Sequence, residues 1–215
     1  MYTLDIEDPD KLFFTSDMHL NHFNICKYCD RPFVSRAEMN QTLIDNWNSV
    51  VPEDGIVINC GDFTLTHEED LKTYQKLASK LNGTMLLVRG NHDRVPLSIE
   101  STGKFIAIVD IATINVEGVK ILASHYPILA FPTDYQVFGH IHTLKDGTCH
   151  GVDGDVNAKL RWNQYDIGVD QNNYKPVSYW ELAKKYKDRR THTISYTCPP
   201  VTLSHFKENE SNQNL

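Results

Sequence analysis

LFFTSDMHL, residues 12–20, is a short apolar run that breaks off into Ser16-Asp17-Met18-His19. A buried strand of a parallel sheet reads this way when it delivers polar side chains at its C-terminal end. The chain then keeps that rhythm. Ser35 and Glu38 form a capping box, and Met39, Leu43, Trp47 and Val50 recur at helical spacing, so a helix is expected after the first loop. Residues 56–59 read as a second buried strand that stops at Gly61-Asp62. Thr66 with Glu69 repeats the capping box, Leu71, Tyr74, Ala78 and Leu81 make an apolar stripe, and Asn82-Gly83 closes that helix. Residues 85–88 are the next strand. Strand, helix, strand, helix, strand predicts a parallel sheet covered by helices, with polar loops gathered at the strand C-terminal ends.

Past that point the pattern turns β-rich. Residues 104–110, 112–116 and 119–124 are closely spaced extended runs, Glu117-Gly118 is a hairpin turn, and 135–138 form another short strand. Residues 166–169 are expected to add a strand, and Ser178 with Glu181 opens a last helix from Tyr179 to about residue 189. Its basic run, Lys184, Lys185, Lys187, Arg189 and Arg190, reads as a solvated face. One domain is expected over residues 1–190. The segment 191–215 follows, and its polar end KENESNQNL lacks periodicity and is expected to be disordered.

Composition narrows the function. With 215 residues and 40% apolar side chains, the chain can bury one substantial core. A net charge of −7 disfavours nucleic acid as a partner held by bulk electrostatics, and a small or locally held substrate fits better. No apolar stretch reaches the ~20 residues of a membrane span, the acidic N-terminus is unlike a secretion signal, and a cytoplasmic protein is expected. Five cysteines are too few and odd in number for a disulfide scaffold. Cys26 and Cys29 form one CxxC without the second pair that a structural zinc site wants, and read as ordinary thiols.

Five loop segments hold the chemistry: Asp17-x-His19, Gly61-Asp62, Gly90-Asn91-His92-Asp93, His125 and Gly139-His140-x-His142. Imidazole with carboxylate suits first-row divalent metals such as Mn, Fe or Zn better than Ca. In an extended segment the one-residue spacing puts Asp17 and His19 on one side. Glycines before Asp62, Asn91 and His140 let the backbone turn sharply and approach an ion without a Cβ. Each motif alone is common, and a lone histidine is more often a hydrogen-bonded surface or core residue. Their order after successive strands is the informative feature.

In this order the motifs resemble the calcineurin-like metallophosphoesterase superfamily over about residues 12–145. The words FTSDMHLNHFNI, RPF, NWN, LVRGNHD, SHYP, FGHIHT and IGVD are similar to a small stand-alone bacterial and phage-type branch of it. The resemblance implies an α/β four-layer sandwich, two mixed sheets flanked by helices, with a dinuclear metal site at the strand C-terminal ends. It implies that Asp17, His19 and His142 hold one metal, that Asn91, His125 and His140 hold the other, and that Asp62 bridges both. Mn is the first choice, with Fe, Zn, Ni or Mg as alternatives. Two cations ~3.5 to 4 Å apart need an anionic bridge, and the site stays positive enough to draw in phosphate oxygens.

The activity implied is hydrolysis of a phosphodiester or phosphomonoester by in-line attack of a metal-bridging hydroxide, with His92 as general acid. Phe63-Thr64-Leu65-Thr66 after Asp62 departs from the pattern of the protein Ser/Thr phosphatases and dinucleoside tetraphosphate hydrolases. The short chain also disfavours the DNA-repair nucleases and purple acid phosphatases. A non-catalytic scaffold, as in the retromer subunit similar to this superfamily, stands as an alternative, although every ligand and His92 are present. A single-strand nuclease and a metal-storage module are the others. His22 reads equally as a contact to the site and as a surface residue. Arg31, Arg89 and Arg94 are candidates for a phosphate, with Arg31 reading just as well as a loop-packing residue, and Asp93 and Asp170 are candidates for supporting roles. His67, His150, His192 and His205 read as ordinary histidines, and Tyr126, Pro127, Phe131 and Tyr135 as core rather than a base-stacking surface. The natural substrate and the oligomeric state stay open.

Histidine ligands bind metal as neutral imidazoles, so metal affinity and activity are expected to fall as acid protonates them. A flat activity profile from neutral pH to about pH 5, below the ~6.5 of free histidine, contradicts this.

Overall fold

The structure, a computed structural model, describes residues 1–65, 71–145, 147–149 and 160–193. Strand β2 (Leu12–Thr15) is buried at every position, as a run without a polar face must be. It pairs in parallel with β3 (Ile56–Asn59), β3 with β4 (Thr84–Val88), and β4 with β5 (Phe105–Val109). At the far edge β10 (Val177–Ser178) joins β2 antiparallel. A second sheet runs in the order β1 (Tyr2–Ile6), β6 (Ile111–Val116), β7 (Val119–Ser124), β8 (Tyr135–Phe138) and β9 (Gln164–Asp166). The fold class is therefore the expected one, two mixed five-stranded sheets flanked by helices.

The inner faces meet through Leu12, Phe14, Ile58 and Leu86 from one sheet and Ala112, Ile114, Ile121, Ala123 and Val137 from the other. Phe13, Val57, Met85 and Leu87 point the opposite way and bury against α2 (Arg36–Asn48) and α3 (Leu71–Ala78) through Met39, Leu43, Trp47 and Tyr74. The expected Ser35 cap is present: its hydroxyl accepts from Glu38 N at 3.1 Å, and the Glu38 carboxylate accepts from Val34 N at 2.8 Å. Glu117 and Gly118 both have positive φ, 51° and 74°, as a tight hairpin between β6 and β7 requires.

Several expectations shift. β1 lies in a stretch the sequence offered only as acidic; its alternating burial marks an edge strand with one wet face, which carries no long apolar signal. A short helix, α1 (Ile25–Tyr28), forms inside the first loop. The strand expected over 166–169 ends at Asp166, because the chain then crosses between sheets: Ile167 N donates to Phe138 O at 2.9 Å and Val169 N to Ser16 O at 3.1 Å. The last helix, α4 (Tyr179–Thr193), runs longer than expected. Its basic face is partly laid on aromatics, with Lys185 5.0 Å from the Tyr165 ring centroid, Arg189 over the same ring and Arg190 over Trp162. The Thr66 and Glu69 cap and the segment from residue 194 lie outside the described residues.

Phe14 is fully buried between the sheets. Phe14→Ala is expected to lower unfolding free energy by about 3–5 kcal/mol in a urea titration. A loss under about 1 kcal/mol would mean that the inter-sheet core closes over the gap.

Candidate metal centre

Every strand that ends near the open side of the sandwich hands its next residues to one place. Asp17 and His19 follow β2, Asp62 follows β3 and Asn91 follows β4; His125 follows β7, and His140 and His142 follow β8. The backbone is left-handed at Asp17 (φ 57°), His19 (50°), Asp62 (52°), His140 (72°) and His142 (47°), half of the ten such non-glycine residues among those described. That conformation costs roughly 1–2 kcal/mol per residue, and such strain persists where surrounding contacts over-determine it. Asp17 and His19 therefore do not share a side by extended alternation, as their spacing predicted; the chain turns at each.

The seven side chains converge. His142 Nε2 lies 3.8 Å from Asp17 Oδ1, and the ligand atoms of Asp17, His19 and His142 fall within 4.8 Å of one another. Asp62 Oδ2 is 3.4 Å from His19 Nε2 and 3.6 Å from His125 Nε2, so its carboxylate is shared by both halves. Asn91 Oδ1 lies 2.9 Å from His125 Nε2 and 3.1 Å from His140 Nδ1.

The protonation pattern shows what this cluster fits. His125 Nδ1 faces the Cys60 carbonyl at 2.8 Å, and a carbonyl only accepts, so Nδ1 carries the hydrogen. In the neutral ring Nε2 then presents a lone pair to Asn91 Oδ1, itself an acceptor. His19 Nε2 is buried without any hydrogen-bond partner. Acceptors facing acceptors at about 3 Å suit a cation with ligands at about 2.0–2.2 Å. Burial, and then the charge of Asp17, push the Asp62 carboxyl up to about 7. Burial takes His19 well below its ordinary value and His140 down to about 4, so both offer neutral imidazoles. At His142 burial opposes the charge, yet Asp17 and the hydrogen bond with Asp170 prevail and raise it to about 11, so a metal there displaces a proton.

Three further buried carboxylates tie the loops together. Asp93 accepts from Phe63 N at 3.1 Å and Gly90 N at 2.9 Å, joining the second loop to the third. Asp170 accepts from Arg31 Nε at 2.7 Å and holds His142 Nδ1 at 2.8 Å; Arg31 also donates to Asp17 O at 2.7 Å and Met18 O at 3.1 Å. Asp166, which sequence reading missed, accepts from Thr143 N at 3.0 Å and Gly168 N at 2.7 Å. Arg31 is thus a buried brace, and Arg89 is taken by Asp110 and Val95 O; Arg94 is exposed. His22 is drawn in, its Nδ1 3.1 Å from His19 Nδ1.

Two of the three glycines make room for carboxylates, while a Cβ on Gly61 would fall on the Gly90 backbone and His125 Nδ1. A Cβ on Gly90 would fall on Asp62 Oδ1, and one on Gly139 on Ser16 Oγ and Asp17 Oδ2. Cys26, Cys29 and Cys60 are free and buried; Cys29 lies within 4.8 Å of ligand atoms of His142 and Asp170, and no group of ligand atoms among the described residues pairs it with Cys26. Tyr135 packs against Tyr186 as expected of core, whereas Tyr126 stands exposed beside His125 and His140, because its side chain leaves the sheet at the mouth of the site. His67, His150 and His205 lie outside the described residues, as does the side chain of His192.

The sandwich thus gathers seven side chains of metal-ligand type from the loops of both sheets, and comparison with known proteins gives its family. The calcineurin-like phosphoesterase superfamily domain matches residues 11–158, and the chain belongs to that superfamily. An uncharacterized protein of Methanocaldococcus jannaschii is 33% identical over 81% of this chain and 90% of its own. A protein of unknown function from Aquifex aeolicus shares the fold, with a TM-score of 0.59, 24% identity and coverage of 80% of this chain and 97% of that one. An archaeal phosphodiesterase superposes with a TM-score of 0.38 at 19% identity over 73% of this chain and 81% of that one. No helix among the described residues is long and apolar enough to cross a membrane.

Asp170→Ala is expected to leave the fully buried Arg31 side chain uncompensated and to lower stability by about 3–5 kcal/mol in urea unfolding at neutral pH. Burial opposes its charge, but Arg31 and His142 hold the Asp170 carboxyl below its ordinary value. Its contribution is therefore present above the unfolded pKa of about 3.9 and is lost as pH falls through the lowered one. A variant as stable as the parent at pH 7 would contradict the brace.

Proposed function

We propose that this chain is a hydrolase of phosphoesters acting through two divalent cations, Mn foremost. The observation that carries this is the set of acceptor atoms facing one another, with His19 Nε2 buried and unpartnered among them. Asp17, His19 and His142 would hold one cation, and Asn91, His125 and His140 the other, with Asp62 shared. Such a pair supplies an activated water and neutralises phosphoryl charge.

The chain's own groups do the rest. Asp93, Asp166 and Asp170 hold the ligand loops in register before substrate arrives, which is the preorganisation that electrostatic catalysis needs. His92 is half-buried, its ring centroid 5.1 Å from that of His19 and 5.4 Å from that of His22, and its backbone N–H donates to Asp62 Oδ1 at 2.9 Å. That bond fixes the ring at the rim of the site, where it can hand a proton to a departing alkoxide. Burial and then His125 favour its neutral form, so once protonated it releases the proton readily. The free buried thiols Cys26, Cys29 and Cys60 support a reducing, cytoplasmic setting as part of the same reading.

The test is hydrolysis of a chromogenic phosphodiester and its matching monoester by Mn-loaded protein, with a chelated sample and Asp62→Asn as controls. Turnover is expected to vanish in both controls. His92→Ala should keep its metals yet lose about 10²–10⁴-fold in turnover of a poor leaving group. Turnover indifferent to chelator would remove the metal reading, and unchanged turnover in His92→Ala would remove the acid.

A further inference from the structure

A cleft of about 480 Å³ opens beside the centre, between the Gly90-Asn91 turn and the segment that follows β7. Asn91 and His125 line it together with Ile111, Tyr126 and Ile128. Its size suits one small organic group. Tyr126 is 49% exposed, with its ring held edge-on against His125 at 4.9 Å and His140 at 4.6 Å. A flat aromatic face, fixed at the lip of a mostly apolar cleft and touching two ligands of the same candidate cation, is a stacking surface.

Arg89 is the one Lys or Arg side chain lining the cleft, against the carboxyls of Asp93 and Asp110. Arg89 donates Nε and Nη2 to Asp110 and Nη1 to Val95 O, so the guanidinium is already engaged and offers little to a second phosphate. An uncharged ring system fits that wall better than a continuing phosphodiester chain.

Position decides which part of a substrate lies there. His92 contacts the rings of His19 and His22, and none of these three lines the cleft. On the reading of the active site given above, the leaving group departs beside His92, outside the cleft. A monoester has no second organic group to place in the cleft; a diester has one. We infer that the substrate is a small phosphodiester whose retained substituent is a flat, uncharged ring system, of which a nucleoside is the natural type, stacked on Tyr126 between Ile111 and Ile128. Water adds to phosphorus and gives up one proton to solvent, the P–O bond to the leaving group breaks, the leaving oxygen takes a proton from protonated His92, which solvent then reprotonates, and the ester bond to the retained group stays intact. The product is a phosphomonoester of the retained group and a free alcohol.

Three esters with one leaving group test this: p-nitrophenyl phosphate, methyl p-nitrophenyl phosphate and thymidine 5′-(p-nitrophenyl phosphate). With Mn-loaded full-length protein, kcat/KM should rise in that order, the nucleoside diester exceeding the methyl diester by about tenfold or more. Tyr126→Ala should bring that ratio toward one, with metal content measured alongside, and Tyr126→Phe should restore it. Ile128→Trp, which fills the cleft, should lower it as well. Calorimetric binding of thymidine 5′-phosphate against methyl phosphate should show the same preference and the same loss. A ratio near one in the unaltered protein, a ratio untouched by both cleft variants, or a monoester outpacing both diesters overturns the inference while leaving a phosphoesterase. If none of the three esters turns over, the phosphoesterase reading fails and takes this inference with it.

Discussion

A carboxylate buried beside another carboxylate holds its charge only if hydrogen bonds or cations reach it, and Asp62 is in that position. Asp17 is close enough to raise its pKa, one backbone N–H reaches Oδ1, and two imidazole nitrogens stand 3.4 and 3.6 Å from Oδ2. The approach of the five ligand loops follows from that need. Asp17 shows the same logic, with Oδ1 and Oδ2 accepting from His140 N at 3.1 and 3.0 Å. Buried anions are costly, and a fold that keeps several in one place has a use for the positive charge they call for.

Convergence of this kind dictates the local backbone. A loop that must bring its carboxylate under the next loop's peptide has room for neither a Cβ at the crossing nor a relaxed turn. Gly90 and Gly139 answer the first demand, and the left-handed residues answer the second. The strain is held by carboxylates outside the ligand set, each receiving N–H groups from loops that the chain alone would leave apart. Arg31 is the one Lys or Arg side chain buried with them among the described residues, and by bracing Asp170 and the peptide oxygens of residues 17 and 18 it couples the first loop to the last.

The parallel half of the fold was legible because its strands are apolar throughout and end in polar turns. All seven proposed ligands were legible because their residue types recur in loops in a recognisable order. What escaped was governed by contacts across long sequence separations. β1 has an alternating pattern that only pairing with β6, more than a hundred residues away, makes into a strand. Asp166 looked like any acidic residue near a strand, and its two N–H partners become apparent only when the chain crosses between sheets. Arg31 read equally well as a phosphate ligand or as packing until its donors were seen to be used. Tyr126 read as core because aromatic residues near strands usually are, and only its place at the mouth separates it from Tyr135.

The proposed ligands are divided between the sheets: Asp17, His19, Asp62 and Asn91 come from the loops of one, His125, His140 and His142 from the loops of the other. Asp17 and His140, joined through a backbone N–H, stand 123 positions apart in the chain. Neither sheet alone can assemble the centre, which depends on the long-range contacts that dock the two sheets, a class of contact that is slow to form. A cation bound there locks that docking, since it favours only the assembled state. On the function proposed above, a chain that stopped before β7 would carry Asp17, His19, Asp62 and Asn91 without His125, His140 and His142, and the centre would stay open on one side.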